Sequence, residues 1–518
     1  MSEQELKLHV PRQARAGVSK SLLRGRVSTL RLRAQYFDTT DGALAKQGLA
    51  LRLRLEGRQW VQTLKMPGSH RLEKLELNQP RPGPSLDLSV YADTPAQRLI
   101  KKHGEHLGVV YETDVKRQFR RIRTPAGMVE VAFDIGVIRA GALTLPVSEV
   151  EFELVSGRPH AMFLLGLKWL TDHGLLLDLR SKAERGARLA DLAKKLANLG
   201  DIDDAATSAA RARLVSEFWG PRGVQAITLH KNMSCQQALS AVTTECIEQI
   251  ARNAAVVAEI DTAGIYQAAR PEHIHQLRVG MRRLRSAWSL FKKVTALPPP
   301  PWQQEIKQHF SALGNTRDDD VLRETVMPEL SAAGQPPLAL GQASENSVVP
   351  RLTAGVEFQR WLTELLAWNI GAHPLQATDP ETETVSMPDQ ALQKALVKQL
   401  FKLHQRVLSD GLHFDQLAIE SKHDLRKRAK RLRYGLQFAE SILPAKKLKN
   451  YRQHLGKIQD ILGEMNDLYV AREKFEVIRD DQPPAWFAVG WIASRLDALG
   501  VQAQTAFLAL KRAEKFWD

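Results

Sequence analysis

Five glutamates fall in two short alternating runs, Glu3 and Glu5 in Glu3-Gln4-Glu5-Leu6-Lys7-Leu8, and Glu149, Glu151 and Glu153 in Glu149-Val150-Glu151-Phe152-Glu153-Leu154. Lys7, Arg52, Arg54 and Lys65 stand in comparable alternating runs, and Lys182 lies further along the chain. Several carboxylate oxygens suit a hard divalent ion, Mg²⁺ or Mn²⁺, which completes its shell with waters and substrate phosphates. Lysines and arginines would neutralise the remaining phosphate oxygens, arginine in bidentate fashion. A water activated by the metal or by a nearby glutamate could then attack a terminal phosphoryl group.

Such residues must be carried by strands. In Glu3–Leu8 the odd positions are charged or polar and Leu6, Leu8 and Val10 lie opposite; Leu51-Arg52-Leu53-Arg54-Leu55 and Gln62-Thr63-Leu64-Lys65 repeat the period of two. Val129-Glu130-Val131-Ala132-Phe133-Asp134-Ile135 sets two acids against apolar neighbours. Each strand alone reads as a sheet with one wet face. Most of these faces carry one sign of charge, however, so closing them into a barrel would collect both signs in one lumen, a pocket for a metal-bound polyanion.

The chain has 518 residues and 58.1 kDa, about three domains' worth of polypeptide. Apolar residues make up 43% and charged residues 25%, which excludes a mainly disordered or fibrous chain. Lys plus Arg number 73 against 58 acids, a net charge of +15 that points to polyanionic partners. Cys235 and Cys246 are too few for a disulfide framework or a thiolate metal site and fit a reducing compartment. Met1–Lys7 is charged where a signal peptide needs an apolar run, and the apolar stretch Met162–Leu170 is too short to cross a bilayer. The expectation is a cytoplasmic protein without membrane contact.

From Pro159 to about Leu199 the pattern turns helical, residues 200–223 read as a connection, and beyond about 226 amphipathic helices dominate. Residues 296–302, 333–350 and 373–390 read as loops. His275-Gln276-Leu277-Arg278-Val279-Gly280-Met281-Arg282-Arg283-Leu284-Arg285 is echoed 148 residues later by His423-Asp424-Leu425-Arg426-Lys427-Arg428-Ala429-Lys430-Arg431-Leu432-Arg433. Leu313-Gly314-Asn315-Thr316-Arg317-Asp318 is echoed by Leu462-Gly463-Glu464-Met465-Asn466-Asp467. Two motifs in one order at nearly one offset imply a duplicated helical unit.

Glu3-x-Glu5-x-Lys7 resembles the signature of the CYTH superfamily, the triphosphate tunnel metalloenzymes. Further matches follow in the family's order: Tyr36-Phe37-Asp38-Thr39, Ala50–Arg54, Trp60–Lys65, Thr113–Arg117, Glu130–Gly136, Glu149–Leu154 and Ser181-Lys182-Ala183-Glu184-Arg185-Gly186. Over about residues 1–200 the resemblance implies an eight-stranded antiparallel tunnel like that of inorganic triphosphatases, whose relatives include adenylate cyclases and thiamine-triphosphatases. It implies Glu3, Glu5, Glu149, Glu151 and Glu153 as metal ligands for Mg²⁺ or Mn²⁺. Lys7, Arg52, Arg54, Lys65, Arg117 and Lys182 become phosphate ligands, with Glu5, Lys65 and Glu151 catalytic. One departure is visible. Where family members show Arg-x-Glu-Trp-Glu, this chain has Arg71-Leu72-Glu73-Lys74-Leu75-Glu76, and Glu73 and Glu76 have opposite parity.

The second half resembles the CHAD domain, which commonly follows a CYTH domain in bacteria. His275, Arg278, Arg282 and Arg285 form one helical stripe, repeated by His423, Arg426, Lys430 and Arg433, with Leu277, Met281, Leu284 and Trp288 as the apolar face beside it. Neighbouring arginines disfavour a cation at the histidines and suit a phosphate chain; another polyanion, a metal and a merely solvated basic face are the alternatives. Asp318, Asp320 and Asp467 are expected to orient arginines.

The expected fold class is α+β: a tunnel domain over 1–200, a linker over 201–225 and an all-α domain over 226–518 with repeats at about 226–370 and 390–518. The expected function is metal-dependent hydrolysis of inorganic triphosphate or a related triphosphate, coupled to polyphosphate binding and association with polyphosphate granules. A non-catalytic polyphosphate-binding protein is the alternative. No nucleic-acid-reading motif occurs.

Overall fold

The computed structural model describes residues 2–200, 204–261, 271–313, 322–338, 348–373 and 391–517. Two compact units emerge, one of residues 1–222, 251–273 and 349–380, the other of 223–250, 274–348 and 381–518.

The first unit is built on a single antiparallel sheet. Its strands are β1 (Ser2–His9), β2 (Ser28–Asp38), β3 (Ala50–Glu56), β4 (Gln59–Pro67), β5 (Glu73–Arg81), β6 (Gly108–Thr124), β7 (Gly127–Ala140), β8 (Leu143–Gly157) and the two-residue β9 (Leu176–Leu177). They run in the order β5-β4-β3-β2-β6-β7-β8-β1-β9, and β1 also pairs with β5, which closes the first eight into a barrel. The period of two then sends alternate residues inward. Glu5 opposes Glu153 and Lys7 opposes Glu151 across β1–β8, while Arg117 opposes Asp134 across β6–β7. Arg52 opposes Thr63 across β3–β4, and Lys65 opposes Glu76 across β4–β5.

The outward leucines and aromatics form the core behind the barrel wall. Leu6, Leu8, Val150 and Phe152 are fully buried, and Phe152 meets Trp169 of helix His160–His173 edge-on at 5.7 Å. Burying each such side chain contributes about 1.5–3 kcal/mol. Helix Lys182–Asn198 packs beside them. Ser181 caps it by accepting the Glu184 amide at 3.1 Å, the Ser-x-x-Glu start that fixes where the helix begins and hence where Lys182 points. Gly186 lets this helix press on the barrel, because a Cβ there would lie 2.2 Å from the Tyr111 ring.

The stretch read as a linker is largely helical. Asp204 caps helix Ala205–Glu217 through the Thr207 amide at 2.6 Å, and Phe218 and Trp219 join the apolar cluster with Leu189, Leu192, Tyr36 and Tyr111.

The second unit is helical. Helices Leu392–Gly411, Ile419–Phe438, Ala445–Ile478 and Ala485–Arg512 follow one another in sequence. Leu277, Met281, Leu284 and Trp288 are buried, as the apolar stripe required, and Leu425, Ala429 and Leu432 repeat the pattern. Helix Pro300–Ala312 begins inside the expected 296–302 loop, because prolines at its first positions start a helix without an unsatisfied amide. Helix Val348–Ala354, nearly all of it in the first unit, likewise begins within the expected 333–350 loop. The expected loop at 373–390 lies outside the described residues except for His373, as do Asp318 and Asp320. Among the described residues no helix is long and apolar enough to cross a membrane.

Candidate active site

Three carboxylates from two neighbouring strands meet in the lumen. Asp134 of β7 and Glu149 and Glu151 of β8 are buried, and one ligand oxygen from each lies within 4.8 Å of the others. Lys182 Nζ holds all three, at 2.8 Å from Asp134 Oδ2, 2.5 Å from Glu149 Oε1 and 2.6 Å from Glu151 Oε1. Arg117 grips Asp134 with Nε and Nη2, both at 2.7 Å, and reaches Glu151 Oε2 at 2.5 Å. Lys7 Nζ stands 3.7 Å from Glu149 Oε2 and donates to the Arg180 carbonyl. Arg185, 1% exposed, pairs with Glu149 from the helix side.

A second acid–base group lies on β1, β4 and β5. Lys65 Nζ donates to Glu3 Oε2 at 3.0 Å and pairs with Glu76. Beside it, on β3, Arg52 is buried with its Nε lacking any hydrogen-bond partner among the described residues, while Arg54 is bound to Glu56 at 2.6 Å. A cavity of about 930 Å³ includes Glu5 and Lys7 in its lining, along with Tyr36, Arg71, Lys74 and Arg188.

Burial and charge set the protonation of these acids. Burial is the largest influence on Glu149 and opposes ionisation, yet Arg185, Lys182 and Lys7 together hold its carboxyl at about 2. Glu151 is likewise held well below its ordinary range, by Lys182 and Arg117 against burial. Glu5 goes the other way, raised by burial and by the neighbouring Glu151 charge. Glu153 is raised by burial and by Glu130, and Glu3 is pushed to about 9 by burial, against the pull of Lys65. Burial thus favours the protonated form of Glu3, Glu5 and Glu153, while the cations around Glu149 and Glu151 keep those two ionised.

This donor set fits a hard divalent ion. Asp134, Glu149 and Glu151 supply converging carboxylate oxygens, and Glu5 is close enough to Glu151 to feel its charge. Glu3 and Glu153 share the lumen without joining that cluster. Asp134 was legible only as one of two acids on a strand face; pairing the strand antiparallel to Glu149–Leu154 sets it opposite Glu149. The parity fault also has a location. Glu76 faces Lys65, Glu73 is bound to Ser2 Oγ at 2.5 Å and the Ser69 amide at 2.7 Å, and Lys74 takes the position opposite Glu3.

In the helical unit, residues of the two basic stripes come close enough to feel each other's charge. Burial, then Arg426, Arg282 and Arg433, push Lys430 down to about 6, so residues of both repeats act on one ammonium. Burial and Arg431 lower Arg285. Arg278, Arg282 and Arg285 fan over the Phe310 ring at 4.7, 5.8 and 5.7 Å, and Arg278 also donates to the Leu313 carbonyl. His275 and His423 are half-buried, the latter against Tyr469 at 5.5 Å. Asp467 Oδ1 lies 4.0 Å from Arg426, the orienting contact expected of it.

Residues 1–187 match the family model of the CYTH domain and residues 241–476 that of the CHAD domain. The chain carries a CYTH domain and a CHAD domain. Among curated proteins it is similar to an inorganic triphosphatase of Haemophilus influenzae, 30% identical over 161 residues, covering 29% of this chain and 44% of that protein. An uncharacterised protein of Mycobacterium tuberculosis is 28% identical over 212 residues, 39% of each chain. The chain therefore spans less than half the length of these curated relatives. Among solved structures, the CHAD domain of the plant Ricinus communis is 27% identical, covering 57% of this chain and 99% of that one with a TM-score of 0.45. The CYTH match ends just past Lys182 and Arg185, so it includes the three clustered carboxylates and the cations that hold them.

Proposed function

We propose that the CYTH tunnel hydrolyses inorganic triphosphate, or a related triphosphate, with Mg²⁺ or Mn²⁺. The observation that carries this reading is Lys182, bridging three buried carboxylates, two of which Arg117 also grips, while Lys65 and Arg52 stand by Glu3 and Glu76. When bound by Asp134, Glu149 and Glu151, the metal supplies a polarised phosphoryl oxygen and an acidified water. Lys182, freed from the carboxylates, turns to phosphate oxygens together with Lys7 and Arg117. Arg52 and Arg54 hold the distal phosphates, and Lys65 neutralises charge as the bridging P–O bond breaks. A water oxygen forms the new bond to the terminal phosphorus. Its proton passes to Glu5, whose carboxyl is raised by burial and by Glu151 while those of Glu149 and Glu151 are lowered, and diphosphate and orthophosphate leave.

A metal-dependent phosphate-release assay on triphosphate tests this, with Glu5→Gln and Lys65→Ala beside the wild type. Equal background release by all three rejects hydrolysis. A second reading, a tunnel that grips phosphate without turnover, is favoured by Glu73 lying outside the Lys65 group and Lys74 standing opposite Glu3; tight triphosphate binding without release supports it.

For the CHAD domain we infer binding of polyphosphate along the two stripes, His275, Arg278, Arg282 and Arg285 with His423, Arg426, Lys430 and Arg433. The support is the convergence of both repeats on Lys430. Binding of long polyphosphate should weaken steeply with salt, as polyanion contacts release counterions, and with Arg282→Ala plus Arg426→Ala. Unchanged retention in that double variant removes the stripes from the account. A cytoplasmic location with attachment to polyphosphate granules follows from the same reading.

A further inference from the structure

Arg185 connects the acid cluster to a residue outside the barrel. Its guanidinium pairs with Glu149 through Nη2 and with Asp261 Oδ2 through Nη1 at 3.0 Å, and both Arg185 and Asp261 are buried. Asp261 follows helix Cys235–Val257, in the stretch matched by the CHAD model, and belongs to the same compact unit as the tunnel.

The turn that presents Asp261 is held in an unusual backbone. Asp261 has φ 57° and Glu259 φ 60°, left-handed values that cost a non-glycine residue free energy. The turn persists because Ile260 is buried with Leu176 and Ala255, and because Trp219 Nε1 donates to the Asp261 carbonyl at 3.1 Å.

The charge arithmetic gives this contact a consequence. With one carboxylate partner, Arg185 would cancel the Glu149 charge that a divalent ion needs. With two, it is shared, and Glu149 keeps donor capacity on its lumen side, where Lys182 holds Oε1. We propose that Asp261 is a positioning residue which, through Arg185, keeps Glu149 available as an oxygen donor to the tunnel's divalent ion. The proposal rests on reading the tunnel as a metal site, and it makes a residue beyond the CYTH match part of that site.

The test is Mn²⁺ affinity of the full chain without substrate, read by electron paramagnetic resonance of free Mn²⁺, on protein whose circular dichroism matches wild type. Asp261→Asn, which tolerates the left-handed backbone and removes the charge, is expected to weaken Mn²⁺ binding about tenfold, the usual effect of losing an outer partner of a metal ligand. Asp261→Glu is expected to restore it, which a merely structural role would not require. Asp261→Ser, equally uncharged, stands in should the Asn variant not fold. Wild-type affinity in Asp261→Asn or Asp261→Ser, while Glu149→Gln loses affinity, overturns the proposal and leaves the metal site intact. No Mn²⁺ uptake by wild type overturns the metal-site reading itself, and the proposal with it.

Discussion

Lys182 Nζ lies 2.8 Å from Asp134 Oδ2, joining the first turn of a helix to the middle of β7 in a lumen where both side chains are largely shielded from water. The same ammonium neutralises Glu149 and Glu151. Removing it leaves three buried carboxylates sharing Arg117, Arg185 and Lys7. Lys182→Met should therefore destabilise the metal-free protein by about 3–5 kcal/mol, the cost of breaking a buried pair from one side. Because a divalent ion replaces the lost positive charge, Mn²⁺ should raise the thermal midpoint of Lys182→Met more than that of wild type. Equal shifts in the two proteins would show that the cluster does not take the ion.

Glu3 carries a pH signature. Its carboxyl is pushed to about 9, by burial first, against Lys65. A folded value above the unfolded one means the native state favours the protonated form. That contribution is complete below the unfolded value near 4.5 and is lost as pH rises through 9. Glu3→Gln keeps an acceptor for Lys65 and cannot ionise. Its stability relative to wild type should grow steadily between pH 5 and pH 9 in metal-free buffer. Urea denaturation at the two pH values measures it; a constant difference contradicts the assignment.

Gly186 offers a steric test of how Lys182 is aimed. An added Cβ would lie 2.2 Å from a Tyr111 ring that is itself stacked on Tyr36 at 4.5 Å, so neither ring can swing away cheaply. Gly186→Ala should cost about 1–3 kcal/mol by overpacking. It should also lower triphosphate hydrolysis more than Gly174→Ala, where an added Cβ meets nothing within 4 Å but the backbone has φ 62°. Thermal midpoints and phosphate release on the same preparations separate the two effects.

What was legible in the sequence follows from which interactions are local. The period of two places Leu6 and Leu8 outward and Glu5 and Lys7 inward without knowledge of any partner strand, and the barrel keeps that assignment. Asp134 needed the register: only pairing β7 with β8 sets it opposite Glu149. Arg185 sits three residues after Lys182 on the same helix, a visible neighbour, but Asp261 lies 76 positions further on, past helices Ala205–Glu217 and Cys235–Val257, and no spacing rule connects them. In the helical unit the stripes were legible because a single helix carries each. Their convergence on Lys430 is a tertiary fact.

Lys430 supplies a measurement that depends on that convergence. Burial and the surrounding arginines push its ammonium to about 6, so at pH 7.5 the free protein carries it mostly neutral. Phosphate oxygens favour the charged form, so binding polyphosphate must draw a proton from solution. Affinity should fall as pH rises above about 6, toward the value Lys430 takes in the complex. For folding alone the sign is opposite to that of a paired lysine: the depressed value lowers stability as pH falls from the unfolded range near about 10.4 toward 6. Titration calorimetry at pH 7.5 in two buffers of different ionisation enthalpy should give different apparent enthalpies, equivalent to uptake of up to one proton per site. Lys430→Arg keeps the charge at all these pH values, so it should retain binding and lose the buffer dependence. Identical enthalpies for the wild type in both buffers would mean that Lys430 does not meet the phosphate chain.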